Sequence, residues 1–184
     1  MSHLASSPST RSRPPVRDLK SANVLVTASG HCKITDFGVS RQLASRAARV
    51  SSAGSGDFCE GIEMTSYLGS IAWMAPEIME GRTTVYSEKV DVFSFGMVLY
   101  ELITSRRPYM LGPMVRNADD IFHYLLGGVL PTIPSGNLAP ACFPSLMKEC
   151  CMVKFNKRPS FTSIRERLTE AYVDETALEH LINS

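Results

Sequence analysis

No run of about 18 consecutive apolar residues occurs in this sequence, so nothing in it is long enough to cross a bilayer as a helix. The opening stretch, MSHLASSPSTRSRPP, has no apolar core either, and does not read as a secretory signal. Charge of one sign is missing as well. Lys and Arg number 19 against 18 Asp and Glu, a net charge of +1, without the electrostatic footprint of a nucleic-acid or acidic-membrane binder. Cysteine is sparse and poorly spaced for a framework. The five, Cys32, Cys59, Cys142, Cys150 and Cys151, are odd in number and include no CxxC pair. Zinc sites and disulfide scaffolds are therefore not expected, whereas reduced thiols in the cytosol are. What remains is an ordinary globular composition, 44% hydrophobic and 20% charged, on a chain of single-domain length. A soluble, cytoplasmic protein is expected.

Residues 1–15, rich in Ser, Pro and Arg, bury little and read as a disordered leader. Val24-Leu25-Val26 is a short apolar strand, and Ala28-Ser29-Gly30-His31 turns it back into residues 32–35, giving a hairpin with Gly in its turn. Between residues 42 and 65 periodicity disappears among Ser, Gly, Ala and Arg, the pattern of a surface loop. Helical character follows. The stretch Val90-Asp91-Val92-Phe93-Ser94-Phe95-Gly96-Met97-Val98-Leu99-Tyr100-Glu101-Leu102-Ile103 is apolar nearly all round, as a centrally buried helix is. A shorter helix is predicted over Ala118–Leu126, closed by Gly127-Gly128, and another over residues 146–153. The last begins near Pro159, with Phe161, Ile164, Leu168 and Tyr172 along one face. The fold class is thus mainly α (α+β): two short strands followed by helices.

Chemistry gathers around the hairpin. Arg17-Asp18-Leu19-Lys20-Ser21-Ala22-Asn23 precedes its first strand, and Asp36-Phe37-Gly38 follows its second. Strands that run out and back would bring Asp18, Asn23 and Asp36 to neighbouring loops. An amide and a carboxylate there make a hard-oxygen site suited to Mg2+, leaving the other carboxylate as a base. Lys20, two residues after Asp18 in an extended segment, lies on the same side and would reach a phosphate oxygen.

The order R-D-L-x-x-x-N, then D-F-G, then Ala75-Pro76-Glu77 resembles the catalytic core of eukaryotic protein kinases. That resemblance implies the helical large lobe of a kinase, with the hairpin at its catalytic loop. It implies transfer of the ATP γ-phosphate to protein hydroxyls. Asp18 would orient the substrate hydroxyl and accept its proton, Lys20 would stabilise the moving phosphate, and Asn23 and Asp36 would hold Mg2+. Residues 16–174 form the partial kinase domain, with residues 36–77 as its activation segment and 175–184 as a tail. Glu77 would pair with Arg158 as a structural tie, and Asp91 resembles the family residue that bonds the catalytic-loop backbone; it also suits a helix N-terminus through the dipole. Lys20, the stretch Gly69-Ser70-Ile71-Ala72-Trp73-Met74-Ala75-Pro76-Glu77 and Asp91-Val92-Phe93-Ser94-Phe95-Gly96 are similar to the tyrosine-kinase-like group, whose members mostly modify Ser/Thr. In such kinases the Arg17 position meets a phosphate on the activation segment. Ser66 is the best acceptor for an upstream kinase, with Thr65 beside it. The bland alternative makes the long Ser/Gly/Ala stretch an inert surface insertion.

Two departures stand out. Val16 occupies the position where the family normally has His. The sequence also contains no G-x-G-x-x-G loop and no V-A-I-K strand, so the N-terminal lobe that covers ATP is missing from it. A chain of this kind is expected to have little activity alone; the competing reading is a non-catalytic, kinase-like interaction module.

Overall fold

A computed structural model of the chain describes residues 16, 18–35, 70–80, 87–110, 115 and 118–182. The leader 1–15, Arg17, Asp36, Thr65, Ser66 and most of the 36–77 segment lie outside the described residues.

The hairpin forms as expected, from β1 (Val24–Val26) and β2 (Cys32–Ile34). They pair antiparallel with Val24 opposite Ile34 and Val26 opposite Cys32. Gly30 occupies the turn at φ +79°, a left-handed conformation in which any Cβ is strained, and its N–H closes the turn on the Thr27 carbonyl at 2.9 Å. Helices follow: α1 (Pro76–Met79), α2 (Lys89–Thr104), α3 (Ala118–Leu126), α4 (Cys142–Cys150) and α5 (Phe161–Ile182). The described residues are thus mainly helical beside one two-stranded sheet, the class expected of the chain.

The all-round apolar pattern of α2 is explained by its position. It lies at the centre, with Val92, Phe93, Met97 and Tyr100 wholly buried. Each such aliphatic or aromatic side chain contributes about 1.5–3 kcal/mol through burial. Helix α4 packs across it at Gly96, where an added Cβ would come within 2.5 Å of the Cys151 sulfur and 2.8 Å of Cys150 Cβ. The helix ends where Ser105 turns left-handed at φ 52° and its N–H caps the Glu101 carbonyl. α3 stops at Gly128, φ +70°, as its Gly-Gly pair predicts.

One helix is displaced from expectation. The 146–153 helix instead begins at Cys142 and ends at Cys150. Pro144 falls in its first turn, where a missing N–H costs nothing. At the other end the chain leaves the helix so that the carbonyls of Met152 and Val153 accept from the Arg158 guanidinium, at 2.8 and 3.4 Å. Along α5 the apolar stripe fades outward: Ile164 is buried, Leu168 partly so, and Tyr172 exposed. The helix continues unbroken through residues 175–182.

Candidate active site

Lys20 is extended, at φ −154° and ψ 160°, and its ammonium meets the Asp18 carboxylate on the same side of the loop. The next three residues tighten into a 3-10 turn, Ser21–Asn23, that brings Asn23 back over Asp18. The Asn23 amide nitrogen donates to the Asp18 carbonyl at 2.8 Å and to its carboxylate Oδ2 at 2.9 Å. Lys20 Nζ lies 3.3 Å from the same Oδ2. Asp18 and Asn23 are both buried, and a buried carboxylate persists only with such partners. Asp18, Lys20 and Asn23 are therefore brought together as the motif spacing predicts.

The hairpin exit is fastened to the same turn. The Asn23 carbonyl accepts the Thr35 N–H at 2.8 Å and its hydroxyl at 3.3 Å, which fixes the end of β2 beside the catalytic loop. Asp36, next in the chain, is outside the described residues, and among those no cluster of three or more acidic, His or Cys side chains could hold a metal. Asn23 fits a share in a Mg2+ site: its nitrogen is committed to Asp18, leaving a hard amide oxygen as the remaining ligand atom.

Around this cluster the large helix supplies anchors. Asp91, in the first turn of α2, accepts the Val16 N–H at 2.7 Å through Oδ2, so the loop backbone is held at the residue that replaces the expected His. Glu77 and Arg158 meet in a bidentate pair at 2.6 and 2.8 Å. Arg158 spends its other donors on the Met152, Lys89 and Val153 carbonyls, and its charge rests 5.0 Å from the Phe93 ring. All five guanidinium N–H groups are thus employed, the condition under which a buried pair is tolerable.

Three contributors escaped sequence reasoning. Ser70 Oγ accepts a hydrogen bond from Lys20 Nζ at 2.7 Å across 50 residues of sequence. Glu101 accepts from Ser21 Oγ and from Trp73 Nε1, each at 2.8 Å. Ser94 donates to the Trp73 carbonyl at 2.8 Å. A carboxylate in the apolar C-terminal half of the helix, far from the terminus that Asp91 suits, was the available signal for Glu101.

Elsewhere, a groove of about 400 Å³ between α2 and α5 is lined mainly by apolar side chains, Phe95, Phe161, Ile164, Leu168 and Tyr172, with Arg165 and Thr169 beside them, and lies apart from this chemistry. Cys150 and Cys151 are buried and free. Burial pushes the Cys150 thiol up to about 12, with Glu149 adding to the rise, and burial likewise drives Cys151 well upward; neither is a nucleophile at neutral pH.

The protein kinase domain model matches residues 16–170. Mitogen-activated protein kinase kinase kinase 13 of Bos taurus is 36% identical over 162 residues, which cover 88% of this chain and 14% of that protein. Mitogen-activated protein kinase kinase kinase 12 of Rattus norvegicus is 35% identical over 159 residues, 86% of this chain and 15% of its own length. A probable serine/threonine-protein kinase of Dictyostelium discoideum is 35% identical over 161 residues, 86% of this chain and 13% of its length. The chain spans about a seventh of the curated relatives it matches. The matched residues make up most of the chain and include the whole described site, and on that basis the chain belongs to the protein kinase family.

Proposed function

We propose that this chain supplies the catalytic-loop half of a Ser/Thr protein kinase, which transfers the γ-phosphate of ATP to protein hydroxyls. The observation that carries the reading is the shared Asp18 Oδ2: Asn23 donates to it and the Lys20 ammonium stands beside it. A neutral amide donor and an ammonium on one oxygen orient the carboxylate and leave Oδ1 for the substrate hydroxyl. Asp18 then takes the hydroxyl proton as that oxygen attacks phosphorus, and the Lys20 ammonium offsets charge on the moving phosphoryl group. Bound through Asn23 and Asp36, Mg2+ would neutralise phosphate charge. Regulation falls to the activation segment: a phosphate placed on Ser66 or Thr65 by an upstream kinase would order it against Arg17. Protein substrates and the cytoplasm complete the reading.

A second reading, a non-catalytic interaction module, is favoured by one observation. Leu25 and Val26 in the hairpin are 56% and 69% exposed, an apolar surface suited to being covered. The 184-residue chain by itself is expected to transfer little phosphate, since its sequence has no Gly-rich loop and no V-A-I-K lysine. The decisive experiment is a chimera in which residues 16–170 replace the matching part of mitogen-activated protein kinase kinase kinase 13. Transfer to Ser/Thr of a generic protein substrate is expected, with Asp18→Asn lowering it by about 10²–10⁴-fold. A folded chimera that binds ATP and transfers nothing would overturn the catalytic reading and leave the interaction module.

A further inference from the structure

Glu101 joins two pieces of chain that are remote in sequence and adjacent in space. Its Oε1 accepts from Ser21, the residue after Lys20, and its Oε2 accepts from Trp73, in the 3-10 turn that follows Ser70. Those are the two segments whose side chains also meet directly, where Lys20 Nζ donates to Ser70 Oγ at 2.7 Å. Each carboxylate oxygen serves one segment, so the two bonds share one rigid plane. A rotation that followed one donor would pull the other oxygen from its own.

The Trp73 end cannot yield easily. Its ring is buried, and its carbonyl is held by Ser94 from the same helix. Glu101 itself is anchored in α2, whose neighbouring residues Leu99, Tyr100 and Ile103 are in the core. The compliant end is Ser21, which is exposed.

We propose that Glu101 is a positioning residue, setting the separation between the catalytic loop and the segment that carries Ser70, and so holding Lys20 within reach of both Ser70 and Asp18. The functional sense of this rests on the roles assigned above to Asp18 and Lys20, but the coupling itself is measurable without any phosphate transfer.

Trp73 is the only tryptophan, so the full chain gives one indole N–H resonance that reports directly on the Glu101 bond. Ser21→Ala removes the exposed arm alone. It is expected to shift that resonance and to make its proton exchange several-fold faster, with the thermal midpoint unchanged. Glu101→Gln should restore slow exchange, because its amide oxygen accepts from the indole while its NH2 donates to Ser21 Oγ. Glu101→Ala should speed exchange of the indole and also of the Asn23 backbone amide N–H, which closes the loop turn on the Lys20 carbonyl at 2.9 Å. An indole signal untouched by Ser21→Ala would overturn the proposal. So would a Glu101→Ala variant in which the indole is freed and the Asn23 backbone amide stays as protected, for Glu101 would then only satisfy the tryptophan. If Glu101→Ala does not fold, the Ser21→Ala and Glu101→Gln spectra decide the matter. An absence of transfer activity would count against the proposed reaction and leave the indole to settle this coupling.

Discussion

The helix-packed centre and the hairpin solve opposite problems with similar residues. In the centre, Phe93, Met97 and Tyr100 are wholly removed from water, and Arg158 is satisfied on every donor. In the hairpin, Leu25, Val26 and Ile34 stay 56%, 69% and 40% exposed. Strands of three residues on a single pair are marginal by themselves, and this pair holds its place by bonds at its root, Thr35 to Asn23. Stability therefore resides in the helical part, while Asp18, Lys20 and Asn23, the residues proposed for catalysis, sit at the seam between it and the hairpin.

Cysteines sharpen the contrast most. Cys32 is exposed in β2, whereas Cys150 and Cys151 are buried against α2. Site-resolved thiol labelling of the native chain should modify Cys32 readily and leave the buried two unreacted until the chain unfolds. The same burial has a pH consequence. Both buried thiols have raised folded values, so unfolded thiols ionise near 9 while the folded Cys150 holds its proton to about 12. Their contribution is full below 9 and is lost as pH climbs through that window, and denaturation midpoints should fall accordingly. Equal labelling of Cys32 and Cys150 in the native chain would erase the distinction.

Breaking the centre electrostatically comes next. Arg158→Ala removes the buried guanidinium and leaves the partly buried Glu77 carboxylate and three carbonyls without it, and urea unfolding should register a loss of about 3 kcal/mol. Amide exchange at the hairpin turn should change far less than that in α2. The smallest effects come from one substitution made in both regions. Gly96→Ala drives a methyl into the Cys150–Cys151 sulfur and carbon, an overpacking cost of about 1–3 kcal/mol partly offset by about 1 kcal/mol of improved helix propensity. Gly30→Ala meets nothing within 4 Å and costs about 1 kcal/mol through its positive φ alone. The first should lower the global midpoint, and the second should act on hairpin exchange.

Legibility followed the same division. The central helix was readable because an apolar pattern all round has few explanations other than burial. Ala118–Leu126 was readable because Gly127-Gly128 ends it chemically. The catalytic turn was readable because Asp18, Lys20 and Asn23 lie within six residues and interact locally. The bounds of α4 were not, since its end is dictated by Arg158, a residue beyond it that claims two carbonyls. Ser70 and Glu101 were also missed. Their partners lie 50 and 80 residues away, and no periodicity or local motif encodes such pairings. Asp36, Arg17, Ser66 and Thr65 lie outside the described residues, and their roles rest on the motif.

Helix α2 does more than fill the centre. Lys89 holds the carbonyls of residues 158 and 159, Asp91 holds Val16, Ser94 holds Trp73, and Glu101 holds Ser21 and Trp73 again. At 1.5 Å per residue, the helix is a gauge about 15 Å long between its Asp91 and Glu101 marks. The spacing between the start of the catalytic loop and its turn is thus copied from the helix rise, not set by the loop. One residue inserted between those marks would turn Glu101 through about 100° relative to Asp91. Every side chain would remain, yet the two ends of the loop would be referred to different faces of the rod. The chemistry of this site is written in the side chains, but its dimensions are those of a helix.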